Sequence, residues 1–213
     1  KQFFGNRPAQ KQVVKGLGSG FVISSDGYIL TNDHVAGNAT KISVTMTNGE
    51  TIDAKLIGSD KNSDVALLKI EKNNLPFVKL GNSDDVIIGE WVIALGNPFG
   101  LFEINDKPSV TVGVVSATNM KVTSDGNRVY KDMIQTDASI NAGNSGGPLV
   151  NADGDVIGMN TIIFTGGNYS GGSIGVGFSI AINRVKRIME EIKLNGKIER
   201  DFNVGFRIQA IDE

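Results

Sequence analysis

The chain has 213 residues, of which 40% are hydrophobic and 21% charged, and its formal net charge is -2. A charge balance this close to neutral gives no support for contact with nucleic acids or with a membrane surface, so neither partner is expected for this segment. Cysteine is absent from the sequence, which excludes a thiol nucleophile and a disulfide framework.

Short apolar runs separated by turn residues make up the first half of the chain. Asp26 and Gly27 lie between two such runs, and Asn48 and Gly49 lie between two more. Both pairs are typical of β-hairpin turns. We therefore predict strands over residues 21–23, 28–30, 42–46, 51–57, 65–70 and 90–95.

The second half repeats this pattern and then changes period. Strands are predicted over residues 109–116, 133–136, 149–150, 156–161 and 175–181. Short strands spaced this regularly without intervening helices favour an antiparallel barrel or sandwich. From Asn183 to Leu194 the apolar residues follow helical spacing instead. A packing helix is predicted there, with Asn183 as its N-terminal cap and Gly196 near its end.

The only histidine of the chain, His34, lies where an apolar strand runs into a polar turn. A single histidine is more often structural than catalytic, but histidine is the residue type best suited to proton transfer near neutral pH. Asp64 opens a strongly apolar run, whereas most other acidic residues lie in evident turns. Asp64 is therefore the candidate carboxylate to orient the far ring nitrogen of His34.

A glycine-rich turn over residues 141–149 places Ser145 ahead of an apolar strand. A serine nucleophile needs an adjacent general base and hydrogen-bond donors for the developing oxyanion. Because glycine reaches backbone angles closed to other residues, the N–H groups of Gly143 and Ser145 can point into one cavity. The N–H group of Asn144 is a further candidate. A short Gly/Ser pattern found alone is usually a flexible turn, so the presence of His34 is what favours the catalytic interpretation.

The order His34, Asp64, Ser145 is that of the catalytic residues in chymotrypsin, and it differs from the orders in subtilisin and the α/β-hydrolases. Four segments together resemble the HtrA (Deg) family of serine proteases, over roughly residues 13–195: Thr31-Asn32-Asp33-His34-Val35, Asp64-Val65-Ala66-Leu67-Leu68, Leu95-Gly96-Asn97-Pro98-Phe99-Gly100 and Gly143-Asn144-Ser145-Gly146-Gly147-Pro148-Leu149. Ala142 stands where that family usually has proline, and Asp33 where a neutral residue is commoner.

This resemblance implies an all-β, chymotrypsin-like fold of two six-stranded antiparallel β-barrels with a C-terminal helix and a cleft between the barrels. The implied protease domain covers residues 13–195, with barrel 1 at about 13–100, barrel 2 at about 108–182 and the helix at 183–194. Residues 1–12 would be an N-terminal arm, and residues 196–213 a linker followed by the start of a truncated PDZ domain.

The resemblance also implies the function. It is that of a serine endopeptidase that hydrolyses unfolded or misfolded proteins through an acyl-enzyme, as part of protein quality control in the bacterial periplasm or cell envelope. His34 would be the base, Asp64 its orienting group and Ser145 the nucleophile, with no cofactor and no metal. A homotrimer or larger homo-oligomer is implied, and the long connections would be activation loops at residues 100–108, 118–130 and 164–174.

Candidates for the primary specificity pocket follow from position in the chain. The residues before Ser145 and the strand after it would form its walls, which makes Ile140, Ile162 and Ile163 candidates. Packing in the core is the alternative role for each of the three. Branched aliphatic walls predict a small apolar pocket and cleavage after Val, Ala or similar residues.

Two other classes of protein are weighed against a protease. A chaperone-like or scaffold protein that binds unfolded clients without turnover is the main alternative, although the complete Ser-His-Asp set argues against a purely binding role. A metalloenzyme is disfavoured because the chain has one histidine, no cysteine and no His-Glu-x-x-His pattern. Carboxylate and carbonyl sites for Ca²⁺ remain compatible with the sequence.

Overall fold

The computed structural model describes residues 16–97, 107–123, 128–163 and 172–198, except for the side chains of residues 123, 162 and 163. The predicted N-terminal arm at 1–12 and nearly all of the predicted linker and PDZ start at 196–213 lie outside these residues. So do residues 100–106, 124–127 and 164–171 of the three predicted loops.

A five-stranded antiparallel sheet forms the first unit. Its strands lie in the order β1-β2-β5-β4-β3. A short helix, α1 (Asp33–Ala36), follows β2. The Val78 N–H donates to the Val22 carbonyl at 3.0 Å, which brings the chain after the sheet back alongside β1. The strands are β1 (Phe21–Val22), β2 (Tyr28–Thr31), β3 (Ile42–Thr45), β4 (Thr51–Asp60) and β5 (Val65–Ile70).

A closed antiparallel barrel of six strands forms the second unit, in the order β10-β11-β8-β7-β6-β9. Closure leaves no free sheet edge among these strands. The second unit therefore matches the predicted six-stranded barrel, whereas the first has five strands within the described residues. The barrel strands are β6 (Trp91–Gly96), β7 (Ser109–Thr123), β8 (Val129–Thr136), β9 (Pro148–Asn151), β10 (Val156–Ile163) and β11 (Gly177–Ala181).

The hairpin of β7 and β8 is longer than the sequence pattern predicts. The predicted loop at 118–130 is largely strand, because β7 continues to Thr123 and β8 begins at Val129. Asn119 has a left-handed φ of 54° and the pairing register shifts between Ala117 and Met120. An irregularity of this kind interrupts the strict alternation by which a strand is predicted.

Helix α2 (Ile182–Asn195) closes the described fold. Its buried face, which includes Val185, Ile188 and Ile192, packs against β4 and β5 of the first unit and against β10 and β11 of the second. Ala181 occupies the N-cap position and Gly196 ends the helix with φ 71°. The predicted cap Asn183 is therefore inside the helix, where its side chain donates to Asn82. No helix among the described residues is both long and apolar enough to cross a membrane.

One core is shared by both units. Leu30 and Leu67 of the first sheet, Met159 and Ile180 of the barrel, and Ile192 of α2 belong to a single cluster of buried side chains. Burying an aliphatic side chain of this size contributes roughly 1.5–3 kcal/mol. The shared core fixes the two units against each other, so that residues from both units form a single site.

Candidate active site

His34 lies in α1, immediately after β2, rather than in the turn that the sequence predicts. Its ring Nδ1 is 2.8 Å from Asp64 Oδ2 and 3.0 Å from Oδ1. The backbone N–H of His34 also donates to Asp64 Oδ1 at 2.9 Å. Two donors of one residue therefore contact one carboxylate, which fixes both the position of His34 and the plane of its ring.

Asp64 is fully buried and its backbone has a left-handed φ of 59°. Asn32 Nδ2 donates to its carbonyl at 2.9 Å. Its Oδ2 accepts hydrogen bonds from Thr161 Oγ1 at 2.7 Å and from the Tyr130 hydroxyl at 3.1 Å. A left-handed conformation at a residue other than glycine is uncommon and occurs preferentially at functional sites.

The charge of Asp64 is maintained by its neighbours. Burial by itself would raise the pKa of this carboxyl, but the hydrogen bonds and charge of His34, together with the hydrogen bond from Thr161, lower it below its usual value. An ionised carboxylate can only accept hydrogen bonds, so Nδ1 of His34 carries the ring proton. In the neutral ring Nε2 is then an acceptor, on a side chain of which 34% is exposed.

Tyr130 is the second hydroxyl on Asp64. Its own burial and the negative charge of Asp64 raise the pKa of this phenol to about 12. The phenol is therefore protonated at neutral pH and acts as a donor to the carboxylate.

A further acidic group, Asp33, adjoins the pair. Asp33 is buried and accepts from Ser59 Oγ at 2.8 Å. Arg128 Nη2 lies 3.4 Å from Asp33 Oδ2, and Arg128 Nε lies 3.4 Å from Asp64 Oδ1. One guanidinium therefore lies against both carboxylates, and the charge of Asp33 is paired within the site.

Ser145 lies in the turn that precedes β9. Its Oγ donates to the Thr161 carbonyl at 3.0 Å, and Thr161 Oγ1 in turn donates to Asp64. Ser145 is thereby connected through Thr161 to Asp64 and His34. Among the described residues no hydrogen bond joins Ser145 Oγ to His34 Nε2, an arrangement common in proteases without bound substrate, where the catalytic hydrogen bonds tighten on binding.

The backbone N–H groups of this turn differ in whether they make a hydrogen bond to another described residue. Gly143 has φ 97°, and the Asn144 N–H donates to the Asn141 carbonyl at 3.0 Å, which is the pattern of a turn that requires glycine at its third position. The N–H groups of Gly143 and Ser145 have no hydrogen-bond partner among the described residues. Two of the three predicted oxyanion donors thus lack a partner within the described part of the chain, whereas the Asn144 N–H is bonded inside the turn.

Ile140, one of the three predicted pocket residues, is only 1% exposed and packs in the core of the barrel. Its Cδ1 lies so close to Gly177 that a Cβ there would be 2.9 Å away. Ile162 and Ile163 pair through their backbones with Phe178 and Gly177, but their side chains lie outside the described residues. The pocket assignment stays a prediction.

Asn160 and Thr161 are site residues that sequence reasoning missed. Asn160 is fully buried. Its Nδ2 donates to the Pro148 carbonyl at 3.1 Å, and its own carbonyl accepts from the Gly146 N–H at 2.8 Å. A signal was present in the sequence, because two consecutive polar residues interrupt the apolar run of β10. Buried polar residues in such a run must find partners, and here the partners are Ser145's turn and Asp64.

A cavity of about 570 Å³ lies elsewhere, between the β7–β8 hairpin and α2. Asp132, Arg184 and Glu190 are among its lining residues, and neither His34 nor Ser145 is. This cavity is therefore separate from the group formed by His34, Asp64 and Ser145.

Comparison with known proteins agrees with this geometry. Residues 18–159 match the trypsin-like peptidase domain. A probable periplasmic serine endoprotease DegP-like from Chlamydia muridarum (strain MoPn / Nigg) is 48% identical over 208 residues, which are 97% of this chain and 39% of that protein. A protein of the same description from Pseudomonas fulva (strain 12-X) is 48% identical over 204 residues, which are 96% of this chain and 40% of that protein.

Solved structures give the same result. The HtrA-type protease AlgW with decapeptide is 45% identical, with a TM-score of 0.76, and the match covers 85% of this chain and 53% of that one. The chymotrypsin-like fold class predicted from the sequence is thereby confirmed. This chain spans about two fifths of the length of the curated relatives it matches. It belongs to the trypsin-like peptidase domain family, and the predicted resemblance to HtrA (Deg) serine proteases is confirmed.

Proposed function

We propose that this chain is the protease part of a serine endopeptidase that hydrolyses peptide bonds of unfolded or misfolded proteins. The observation that carries the proposal is the buried, ionised Asp64 bound to His34 Nδ1 at 2.8 Å, with Ser145 connected to the same carboxylate through Thr161. This arrangement leaves His34 Nε2 as a base. It also supplies a hydroxyl nucleophile beside two backbone donors, the N–H groups of Gly143 and Ser145, that no other described residue binds.

The proposed reaction has two halves. Ser145 Oγ leaves the Thr161 carbonyl and attacks the carbonyl carbon of the peptide bond while His34 Nε2 takes its proton. The oxyanion accepts hydrogen bonds from the N–H groups of Gly143 and Ser145, and Asp64 stabilises the imidazolium. The C–N bond then breaks and His34 protonates the leaving amine. Water, deprotonated by His34, hydrolyses the acyl-enzyme by the same steps and regenerates Ser145.

Labelling with a fluorophosphonate probe tests this assignment, with casein cleavage measured in parallel. The wild-type protein is expected to react with the probe and to cleave casein. Ser145→Ala and His34→Ala are expected to do neither while keeping the wild-type circular dichroism spectrum. Labelling or casein cleavage by a clean Ser145→Ala preparation would overturn the assignment of the nucleophile.

The proposed pocket, formed by Ile140, Ile162 and Ile163, is small and apolar. Cleavage after Val or Ala is therefore expected in a library of peptide substrates, and the support for this is the aliphatic character of all three residues. Preferred cleavage after Arg or Lys would contradict the pocket assignment, since none of the three side chains carries a charge.

We also propose that the assembly is a homotrimer or larger homo-oligomer located in the periplasm or cell envelope. The location rests on relatives described as periplasmic. The assembly is supported by an exposed apolar surface on β6, β7 and the preceding turn, where Trp91 is 66%, Val112 57% and Ile87 68% exposed. Exposed apolar groups in such number mark interaction surfaces. Light scattering after size exclusion tests the assembly, which a monomer at micromolar concentration would contradict.

Binding of unfolded clients without turnover is the second candidate function. It is favoured by the hydrogen bond of Ser145 Oγ to the Thr161 carbonyl, which keeps the hydroxyl occupied in this conformation. Suppression of casein aggregation by the Ser145→Ala protein would support it. If wild type binds casein but neither cleaves it nor reacts with the probe, binding is the function and proteolysis is not.

A further inference from the structure

Ser19 lies in the first unit, just before β1, and makes four hydrogen bonds. Its hydroxyl donates to the Gly143 carbonyl at 2.6 Å and accepts from the Asn97 N–H at 2.8 Å. Its N–H donates to the Ser145 carbonyl at 2.9 Å, and its carbonyl accepts from Thr31 Oγ1 at 2.7 Å. One small residue thus contacts the turn of the nucleophile, the end of β6 and the strand that leads to His34.

The two bonds from Ser19 to the carbonyls of Gly143 and Ser145 help to hold two peptide groups of the turn in place. The peptide between Gly143 and Asn144 is held at its carbonyl by Ser19 Oγ and at its N–H by Asn141. The peptide between Ser145 and Gly146 is held at its carbonyl by the Ser19 N–H and at its N–H by Asn160. The peptides that alternate with these two carry the N–H groups of Gly143 and Ser145. Those two N–H groups are the donors without a partner among the described residues.

Ser19 is itself firmly positioned, because glycines on both sides let the chain lie against its neighbours. A Cβ on Gly18 would be 2.5 Å from Val35 Cγ1, and one on Gly20 would be 2.9 Å from the Leu30 carbonyl oxygen. The segment is therefore seated on α1 and β2, which carry the histidine side of the site. From this position on α1 and β2, Ser19 binds the turn that carries Ser145.

We propose that Ser19 is a positioning residue for the oxyanion hole. The hydroxyl and N–H of Ser19 fix the Gly143 and Ser145 carbonyls from the first unit, and this keeps the N–H groups of Gly143 and Ser145 directed at the substrate oxyanion. This role rests on the proposed protease function. Because the same hydroxyl accepts from the Asn97 N–H, the end of β6 and the oxyanion turn share one support.

The test compares Ser19→Ala with Ser19→Thr and with the control Ser43→Ala, a serine exposed on β3. Loss of an oxyanion donor lowers kcat about 10²–10³-fold. Ser19→Ala loses only the hydroxyl that binds the Gly143 carbonyl and keeps the N–H that binds the Ser145 carbonyl, so kcat is expected to fall less, roughly tenfold, with KM nearly unchanged. A peptide aldehyde, which forms an oxyanion on Ser145, is expected to bind Ser19→Ala more weakly by the same factor. Ser19→Thr retains a hydroxyl and is expected to stay near wild type.

Amide hydrogen exchange supplies a readout that does not depend on turnover. In Ser19→Ala the Asn97 amide loses its acceptor, and the Asn144 amide loses the restraint on its turn, so both are expected to exchange faster than in wild type. Exchange elsewhere, and throughout Ser43→Ala, is expected to be unchanged. Faster exchange confined to these two amides would support the structural part of the proposal even if wild type proved inert, which would refute the proposed protease function separately.

Three results would overturn the inference. One is a Ser19→Ala protein whose kcat and aldehyde affinity equal those of active wild type. Another is unchanged exchange at Asn97 and Asn144. A fall in activity that merely follows a lower melting temperature, with unchanged aldehyde affinity of the folded protein, would also refute a positioning role.

Discussion

The two sides of the site are built in different ways. On the side of the first unit, His34 and Asp64 are held largely by side-chain hydrogen bonds from Thr161 and Tyr130 as well as from each other. On the side of the second unit, the turn of Ser145 is held mostly through backbone groups. Side-chain restraint can be removed one group at a time. Backbone restraint depends instead on how closely the chain can pack against its neighbours, and therefore on glycine, which has no Cβ.

The largest effect on activity is expected from a substitution on the side of His34 and Asp64, where side chains provide the restraint. Asp64→Asn preserves size but removes the negative charge that holds the proton on Nδ1 of His34, so kcat is expected to fall about 10⁴-fold with a smaller change in KM. Steady-state kinetics on a peptide substrate measure this effect. Asp53→Asn, whose side chain is 73% exposed on β4, is the matched control. An Asp64→Asn variant within tenfold of wild type would show that the carboxylate is not the orienting group.

Restraint of the Ser145 turn through its backbone is tested by substituting two glycines that have nearly equal φ. Gly146 and Gly154 have φ 85° and 83°, but a Cβ on Gly146 would lie 2.2 Å from the Ser19 carbonyl oxygen, whereas nothing lies within 4 Å at Gly154. Gly154→Ala is expected to cost about 1 kcal/mol through backbone strain alone. Gly146→Ala is expected to displace the turn and lower kcat more than 100-fold, on the scale of losing an oxyanion donor.

Urea unfolding and probe labelling of these two variants separate strain from displacement. Both variants should show some loss of stability, and only Gly146→Ala should lose labelling. Equal labelling of the two variants would mean that the turn adapts to a Cβ, and that backbone crowding does not fix the nucleophile.

Local patterns predict much of this fold. The hairpin turns at Asp26-Gly27 and Asn48-Gly49, the run at 65–70 and the helical spacing after residue 183 all depend on neighbours within a few positions. His34 and Ser145 stand out for similar reasons, as the only histidine and as the serine of a glycine-rich turn. The misplaced cap at Asn183 shows the limit of this reasoning, because contacts with Asn82 and Ser83 decide what that residue does.

The remaining site residues depend on register between distant strands. Thr161 and Asp64 are separated by 97 residues and Tyr130 and Asp64 by 66. Their contact requires both units to be folded and docked, which no local pattern specifies. Ser19 and Gly143, 124 residues apart, are the same case. Sequence therefore indicates which residues carry chemistry more readily than which residues support them.

Thr161→Val tests one such support. The change keeps the shape of the side chain and the carbonyl that binds Ser145, but it removes a hydrogen bond to a buried carboxylate. The free energy of unfolding at pH 7 is therefore expected to fall by about 1.5–3 kcal/mol. The lowered pKa of Asp64 makes its ionisation stabilising above the unfolded value of about 3.9, and this contribution is lost as pH falls through the lower folded value. The variant should therefore approach wild-type stability on acidification.

Urea unfolding at pH 7 and at successively lower pH measures this convergence. Thr45→Val on the exposed edge strand β3 is the control and is expected to differ little from wild type at either pH. A stability difference between Thr161→Val and wild type that stays constant through the whole acidic range in which wild type itself loses stability would show that the hydroxyl supports packing rather than the charged form of Asp64.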